Sequence, residues 1–239
     1  MQTATIYLIP IVLHEDEIAV QAIPFYITEA IKKCSVFYVE NERTARRFLK
    51  KIWKEINIDA YEWHTIHKAE GEVLHNFQKD LSQKKTIGIM SEAGCPGVAD
   101  PGQILINIAQ QASAKVIPLV GPNSILLALM ASGMNGQCFQ FVGYLPVDTH
   151  ERKKKIIELE NESAKKNCTQ IFIETPYRNN QLLNDILLSA KPTTSLCIAV
   201  DITATTESIQ TKKINDWKKI QLNLHKRPAI FLLYANSDH

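Results

Sequence analysis

The sequence predicts an α/β protein of two α/β domains, a mostly parallel sheet in residues 1–121 and a mixed sheet in residues 122–239, with a ligand cleft between them. Three observations point there. Short β-rich runs alternate with helical patterns through the first half, and such alternation calls for a parallel sheet covered by helices. The turn cluster Gly121-Pro122-Asn123 then separates the last of those runs from an apolar helix and marks a boundary. In the second half, Ser208 to Lys213 follows the preceding run after only a short connection, so it adds as an antiparallel strand.

Taken in order, Thr5 to Ile9 is short, apolar and stopped by Pro10, which reads as a buried strand. Pro24 sits near a helix start, and the pattern runs to about Lys33. Val36 to Val39 is the second strand, followed by a helix from Glu42 to Glu55. Ile58 to Trp63 reads as a third strand, Glu72 to Ser82 as a helix and Thr86 to Met90 as a strand. Gln103 to Ala112 is helical and Lys115 to Leu119 extended. Beyond the boundary lies the apolar helix Ser124 to Ser132. Strands follow at Phe139 to Val142, Gln170 to Ile173, Ser195 to Val200 and Ala229 to Leu233, with helices at Thr149 to Lys165 and Asn179 to Leu188.

Composition narrows the class. Among 239 residues, 45% are hydrophobic and 22% charged, which excludes a mainly disordered chain. The longest apolar run, Ser124 to Ala131, is too short to cross a membrane. Met1 to Pro10 carries no basic segment ahead of its apolar stretch, so it does not read as a signal peptide. The expectation is a soluble cytoplasmic protein. Cys34, Cys95, Cys138, Cys168 and Cys197 are scattered, with no C-x-x-C pair to suggest zinc or thioredoxin-like chemistry, so reduced thiols are expected. A net charge of +2 neither demands nor excludes a nucleic-acid partner.

The stretch Ser91-Glu92-Ala93-Gly94-Cys95-Pro96-Gly97-Val98-Ala99-Asp100-Pro101-Gly102 joins a strand to a helix and holds three of the chain's nine glycines. A loop at the carboxyl end of a strand is where open α/β sheets bind ligands. Asp100-Pro101 also reads as a helix N-cap and first helical position. Neither G-x-x-x-x-G-K-[ST] nor G-x-G-x-x-G is present, so this is not a phosphate loop of those kinds. A tight connection without a ligand is the alternative reading of the pattern alone.

The ordered blocks SEAGCPGVADPG, VIPLVGPNSILLALMASG, FQFVGYLP and IFIETPYR resemble the tetrapyrrole methylase superfamily of class III S-adenosylmethionine-dependent methyltransferases. Within it they resemble most the branch that methylates the ribose 2′-hydroxyl of a cytidine in 16S ribosomal RNA, which shows SDAGTP, SDPG, PGPSA, FxGFLP and ESPHR. The resemblance implies a cytoplasmic homodimer that uses S-adenosyl-L-methionine and acts on ribosomal RNA or the small ribosomal subunit, with no metal and no membrane. Matched block by block, it implies that Ser91, Glu92, Ala93, Gly94 and Pro96 line the donor pocket and that Asp100 orders the loop. Gly121, Pro122, Asn123 and Ser124 match the hinge, while Val142, Gly143, Tyr144, Leu145, Thr175 and Pro176 flank the adenosine. Pro122 and Pro176 as plain turn formers, and Ser124 as a helix cap, are the competing readings.

The acceptor side rests on the helix after Glu40. Arg43, Arg46, Arg47, Lys50 and Lys54 recur at a spacing that puts them on one face, opposite Phe48, Leu49, Ile52 and Ile56. Acids within helical reach look sparse, so the cations look free to bind RNA phosphates; a merely solvated face is the alternative. Arg152 to Lys155 form a second basic cluster, expected at the cleft rim. His64 and His67 show H-x-x-H spacing near Glu70 and Glu72, without further ligands to suggest a metal.

A ribose hydroxyl is a weak nucleophile, so a positioned proton acceptor helps methyl transfer. Glu40, Glu174 and Asp201 are the candidates, with Glu40 preferred and Glu174 next; each also suits a structural acceptor. Three departures from the family stand out. Its TPIGNLEDIT loop is here Ile9 to Ile18 without the glycine and asparagine, its CEDT is Val39-Glu40-Asn41-Glu42, and its ARELTK is Ala199 to Ala204 without the two cations. The expectation is therefore a methyltransferase of small-subunit ribosomal RNA. A methylase of a tetrapyrrole-like small molecule and a non-catalytic RNA-binding factor are the alternatives.

Overall fold

The computed structural model describes residues 3–66 and 70–235. The chain divides into two compact units, 1–123 and 124–239. The first holds strands β1 (Thr5–Ile9), β2 (Val36–Val39), β3 (Glu62–Thr65), β4 (Thr86–Met90) and β5 (Lys115–Pro118). Its helices are α1 (Tyr26–Ile31), α2 (Glu42–Ile52), α3 (Glu70–Ser82) and α4 (Gln103–Gln111). The second unit holds α5 (Ser124–Ser132), β6 (Phe139–Tyr144), α6 (Thr149–Lys166), β7 (Thr169–Ile173) and α7 (Asn179–Ser189). These are followed by β8 (Ser195–Val200), β9 (Ser208–Lys213), α8 (Ile214–Trp217) and β10 (Ala229–Tyr234).

The first sheet runs β3-β2-β4-β1-β5 with every pair parallel. Its strands alternate between two apolar clusters because successive side chains leave a strand on opposite faces. Ile9, Phe37 and Val39 pack with Ile27, Ile31, Phe48 and Leu49 of α1 and α2. Ile6, Val36, Tyr38, Ile87 and Ile89 pack with Phe77, Leu105 and Ala109 of α3 and α4. A parallel sheet sends all its carboxyl-end loops to one edge, so Pro10–Ile11, Glu40, Ile66, Ser91–Gly102 and Leu119–Asn123 share that edge.

The second sheet is mixed, in the order β6-β7-β10-β8-β9. Only β6 and β7 are parallel, and the remaining pairs are antiparallel. Phe172, Phe231, Leu196 and Ile198 pack with Ile156 and Leu159 of α6 and Leu182 and Ile186 of α7. The short connection before Ser208 to Lys213 does give an antiparallel edge strand.

Several boundaries differ from the sequence reading. Ile58 does not open a strand: Ile58–Ala60 is a 3-10 turn whose Ile58 side chain is buried, and the Trp63 indole N–H donates to the Ile58 carbonyl at 3.1 Å. The third strand begins at Glu62. Helix α2 ends at Ile52 rather than Glu55, because Trp53 turns extended and the Lys50 ammonium donates to the Ile56 carbonyl at 2.6 Å. The N-cap of α4 is Gly102, not Asp100.

Candidate functional site

The loop after β4 is tied in place from both sides. Gly94 and Ile11 exchange backbone hydrogen bonds of 3.1 and 2.8 Å, an isolated antiparallel bridge that binds it to the loop after β1. Gly94 has φ +75°, and a Cβ there would stand 3.2 Å from Leu13 Cδ2 and 3.5 Å from the Pro122 carbonyl. The positive φ strains any side chain there, and Leu13 would have to give way to its Cβ. Gly121 is obligatory, since a Cβ would fall 2.2 Å from Pro10 Cβ. The Ser91 hydroxyl is buried and donates to the Ala93 and Gly94 carbonyls at 3.2 and 3.4 Å, leaving Glu92 and Ala93 exposed at the crest.

Asp100 organises the rest of this loop. Its two carboxylate oxygens accept the Gly97 N–H at 2.9 and 3.0 Å, and Oδ1 also accepts the Gly102 N–H at 2.7 Å. Pro96 is buried beside the half-buried Cys95, whose thiol lies 3.7 and 3.5 Å from the Gly121 and Pro122 carbonyls. Burial is the main reason that thiol is pushed above its ordinary range, and a hydrogen bond to Asn123 works the other way. The Ser91 loop and the Gly121–Asn123 turn, which the sequence only set in order, are thus joined directly.

Glu40 continues this edge. Its Oε2 accepts the Glu92 N–H at 2.9 Å, and the Asn41 amide reaches Glu92 Oε1 at 3.4 Å while its own Oδ1 caps α2 through the Thr44 N–H. Glu40, Asn41, Glu42, Arg43, Arg46 and Thr65 line a pocket of about 490 Å³ at the carboxyl ends of β2 and β3. Thr65 and Asn41 were not singled out from sequence. Once the third strand is placed at Glu62–Thr65, its last residue falls on the carboxyl-end edge of the sheet.

The basic face is less free than its spacing suggests. Arg46 pairs with Glu42 at 2.8 Å and Asp59 at 3.3 Å, and its guanidinium lies over the Trp63 ring. Arg47 pairs with Glu15 at 3.1 Å, Lys50 is held by Ile56, and Lys54 lies past the helix end. The acids come from one helical turn back and from other loops, which spacing within the run of cations does not show. Arg43 is exposed and has no ion-pair partner among the described residues.

The second basic cluster is corrected outright at its first residue. Arg152 is 1% exposed; it donates to Asp185 at 2.8 and 2.6 Å, to the Pro146 and Val147 carbonyls and to Thr149, so it is a core ion and not a rim cation. Lys153 also approaches Asp185, at 3.7 Å, and Lys155 pairs with Glu158.

In the second unit, Val142 is the extra residue where the β6–β7 register shifts, and Gly143 follows with φ +72°. Tyr144 is exposed and Leu145 is buried in the unit's core. Ser124 is the first residue of α5. Glu174 is buried and accepts the Thr175 N–H at 2.6 Å and the Arg178 guanidinium at 2.7 Å, while the Pro176 carbonyl accepts Lys226 N–H at 3.0 Å. Asp201 accepts Arg227 at 2.8 and 2.6 Å and Thr206 at 2.8 Å. Both carboxylates secure local turns, in contrast to Glu40 at the open edge.

His64 stacks on Tyr38 with ring centroids 4.7 Å apart, and His67 lies outside the described residues. Glu62, His64 and Asp80 bring their ligand atoms within 4.8 Å of one another. Lys85 already donates to Glu62 at 2.7 Å and sits 2.9 Å from Asp80, so a lysine supplies the positive charge there. Among the described residues, no helix is long and apolar enough to cross a membrane.

No known family profile matches the chain. In sequence it is 34% identical over 156 residues to "Ribosomal RNA small subunit methyltransferase I" of Vibrio cholerae, a match covering 64% of this chain and 53% of that protein. It is 31% identical over 166 residues to the protein of that name from Halalkalibacterium halodurans, covering 70% and 55%. The Buchnera aphidicola protein of that name is 28% identical over 214 residues, covering 88% and 73%. The chain thus spans about half the length of the first two relatives. In fold it is similar to the methyltransferase CobJ, with a TM-score of 0.62 at 13% identity over 98% of this chain and 95% of that one. It is also similar to uroporphyrin-III-C-methyltransferase from Thermus thermophilus, with a TM-score of 0.55 at 13% identity over 98% and 93%.

Proposed function

We propose that this chain, a member of the tetrapyrrole methylase superfamily related in sequence to the ribosomal RNA small subunit methyltransferases I, is an S-adenosylmethionine-dependent enzyme that methylates a ribose 2′-hydroxyl of small-subunit ribosomal RNA. The observation that carries this reading is the Glu40–Glu92 bond. It joins the rigid loop after β4 to the polar pocket at the start of the basic helix, within one sheet edge.

The donor set fits the methyl donor. Gly94 and Gly121 let the loops after β1, β4 and β5 pack closely against one another, and the exposed crest offers the Ala93 backbone amide and the Glu92 carboxylate, suited to an amino-acid end. Ser91, Glu92, Ala93, Gly94 and Pro96 form that part of the donor site, with Asp100 fixing the loop and Gly121, Pro122 and Asn123 backing it. Ser124, Val142, Gly143, Tyr144, Leu145, Thr175 and Pro176 are assigned to donor binding on the family resemblance alone. When bound, the donor supplies an electrophilic methyl group on a sulfonium.

The chain's own part is alignment and proton handling. Holding the two reactants in line contributes about 7–11 kcal/mol in favourable cases. Glu40 takes the proton from the ribose hydroxyl, and Glu174 is reserved to its turn with Arg178. Arg43 meets an RNA phosphate, with Arg46, Arg47 and Lys50 reaching phosphates only by giving up their present partners. The same reading includes a homodimer working in the cytoplasm, and light scattering on the purified chain checks the dimer.

One observation favours the non-catalytic RNA-binding role instead: Val12 and Leu13 stand where the family carries glycine and asparagine, and the Leu13 side chain lies against Gly94. The deciding experiment is transfer of labelled methyl groups to small ribosomal subunits from a strain lacking this gene. Incorporation that makes one ribose position resistant to alkaline cleavage is the expected result. No incorporation together with no donor binding by calorimetry replaces this reading with the non-catalytic one.

A further inference from the structure

Cys138 and Cys168 are far apart in sequence and adjacent in the second unit. The Thr169 N–H donates to the Cys138 carbonyl at 2.9 Å, and Phe139 pairs in register with Thr169, so the two cysteines sit side by side just before parallel strands β6 and β7. Neighbouring strands lie about 4.8 Å apart, and disulfides span Cα separations of about 4.4–6.8 Å. Burial, and after it the neighbouring Cys138 thiol, push the Cys168 thiol up to about 11.

The backbone carrying both thiols is fixed. Asn135 Oδ1 accepts the Gln137 and Cys138 N–H groups at 2.9 and 3.2 Å, and its amide donates to the Asn167 carbonyl at 2.6 Å. The Thr169 hydroxyl donates to the Asn135 carbonyl at 2.9 Å, and Cys168 N–H to the Ser163 carbonyl at 3.1 Å. Cys138 is exposed and Cys168 buried, which sets an order of attack: the exposed thiol meets a reagent first and the buried one can only answer it.

We propose that Cys138 and Cys168 form a reversible modification site, oxidised to an intramolecular disulfide by a small disulfide such as oxidised glutathione. The Cys138 thiolate attacks one glutathione sulfur, forming a mixed disulfide and expelling one glutathione thiolate. The Cys168 thiol then loses its proton and attacks the Cys138 sulfur, expelling the second glutathione. Two protein thiols are oxidised, and one glutathione disulfide is reduced to two thiols. The cross-link fastens the edge strand β6 to β7 just ahead of their first residues. This proposal is independent of the methyltransferase reading.

Intact-mass measurement of the full chain after incubation with oxidised glutathione tests it. The expected result is a loss of about 2 Da with a peptide linking Cys138 to Cys168, reversed by dithiothreitol. Cys168→Ser is expected to stop at a mixed disulfide, a gain of about 305 Da carried on Cys138. Cys138→Ser is expected to show neither change at this site. A wild-type chain that keeps the glutathione adduct without closing, closes through other cysteines, or leaves Cys138 unmodified overturns the proposal. The wild-type mass together with its cross-linked peptide decides this even if a variant fails to fold.

Discussion

The Glu40 carboxylate accepts the backbone N–H of Glu92 at 2.9 Å, so the residue that follows β2 holds the crest of the loop after β4. One group therefore has two duties, anchoring a loop and accepting a proton. Glu40→Gln separates them, because the amide oxygen still accepts the Glu92 N–H while the side chain no longer takes a proton. Donor affinity by calorimetry is expected to stay within about twofold while kcat for methyl transfer falls about 100-fold or more. A kcat near the wild-type value would leave Glu40 as an anchor only.

Asp100 supplies the acceptors for the Gly97 and Gly102 N–H groups. Bonds to a charged group contribute about 1.5–3 kcal/mol each. Asp100→Ala is expected to lower unfolding free energy by about 2 kcal/mol in urea titration and to weaken donor binding at the same time. Undiminished donor affinity would show that the loop needs no ordering to bind.

Arg43 and Arg46 stand one helical turn apart with opposite prospects. Arg43 is exposed and unpaired among the described residues; Arg46 is held by Glu42, Asp59 and the face of Trp63. Arg43→Gln is expected to weaken RNA binding and to reduce the slope of log affinity against log salt by about 1, without a stability change. Arg46→Gln is expected to act the other way round, lowering thermal stability with a smaller change in slope. Filter binding across a salt series, with a melting curve for each variant, reads both.

What the sequence shows and what it hides follows from range. Thr5–Ile9, Val36–Val39 and Thr86–Met90 are short apolar runs between turn signals, and their strand boundaries stand as read. Ile58 misled because a single buried isoleucine in a 3-10 turn looks like the start of a β run. The glycine-rich loop after β4 was legible, since its glycines are needed locally. Its ties to Ile11, Glu40 and Pro122 were not, because they join positions separated by tens of residues. The same holds for the partners of the cations: Glu15 and Asp59 come to α2 from other loops, and Asp185 comes to Arg152 from another helix.

Arg152 gives the sharpest test of that last difference. Its side chain is 1% exposed and donates twice to Asp185, itself 4% exposed at the side chain, with Lys153 the other cation within 4 Å of that carboxylate among the described residues. A buried carboxylate left without its partner has lost the interaction that offset its desolvation. Arg152→Met is therefore expected to destabilise the chain by about 3–5 kcal/mol, whereas a rim cation would cost almost nothing in stability and would weaken RNA binding. Asp185→Leu combined with Arg152→Met removes both charges, and the pair is expected to be less destabilising than the sum of the single variants, the sign of direct coupling. Additive losses would mean that the two residues act separately. A fall in RNA affinity for the folded Arg152 variant would return this residue to the acceptor surface.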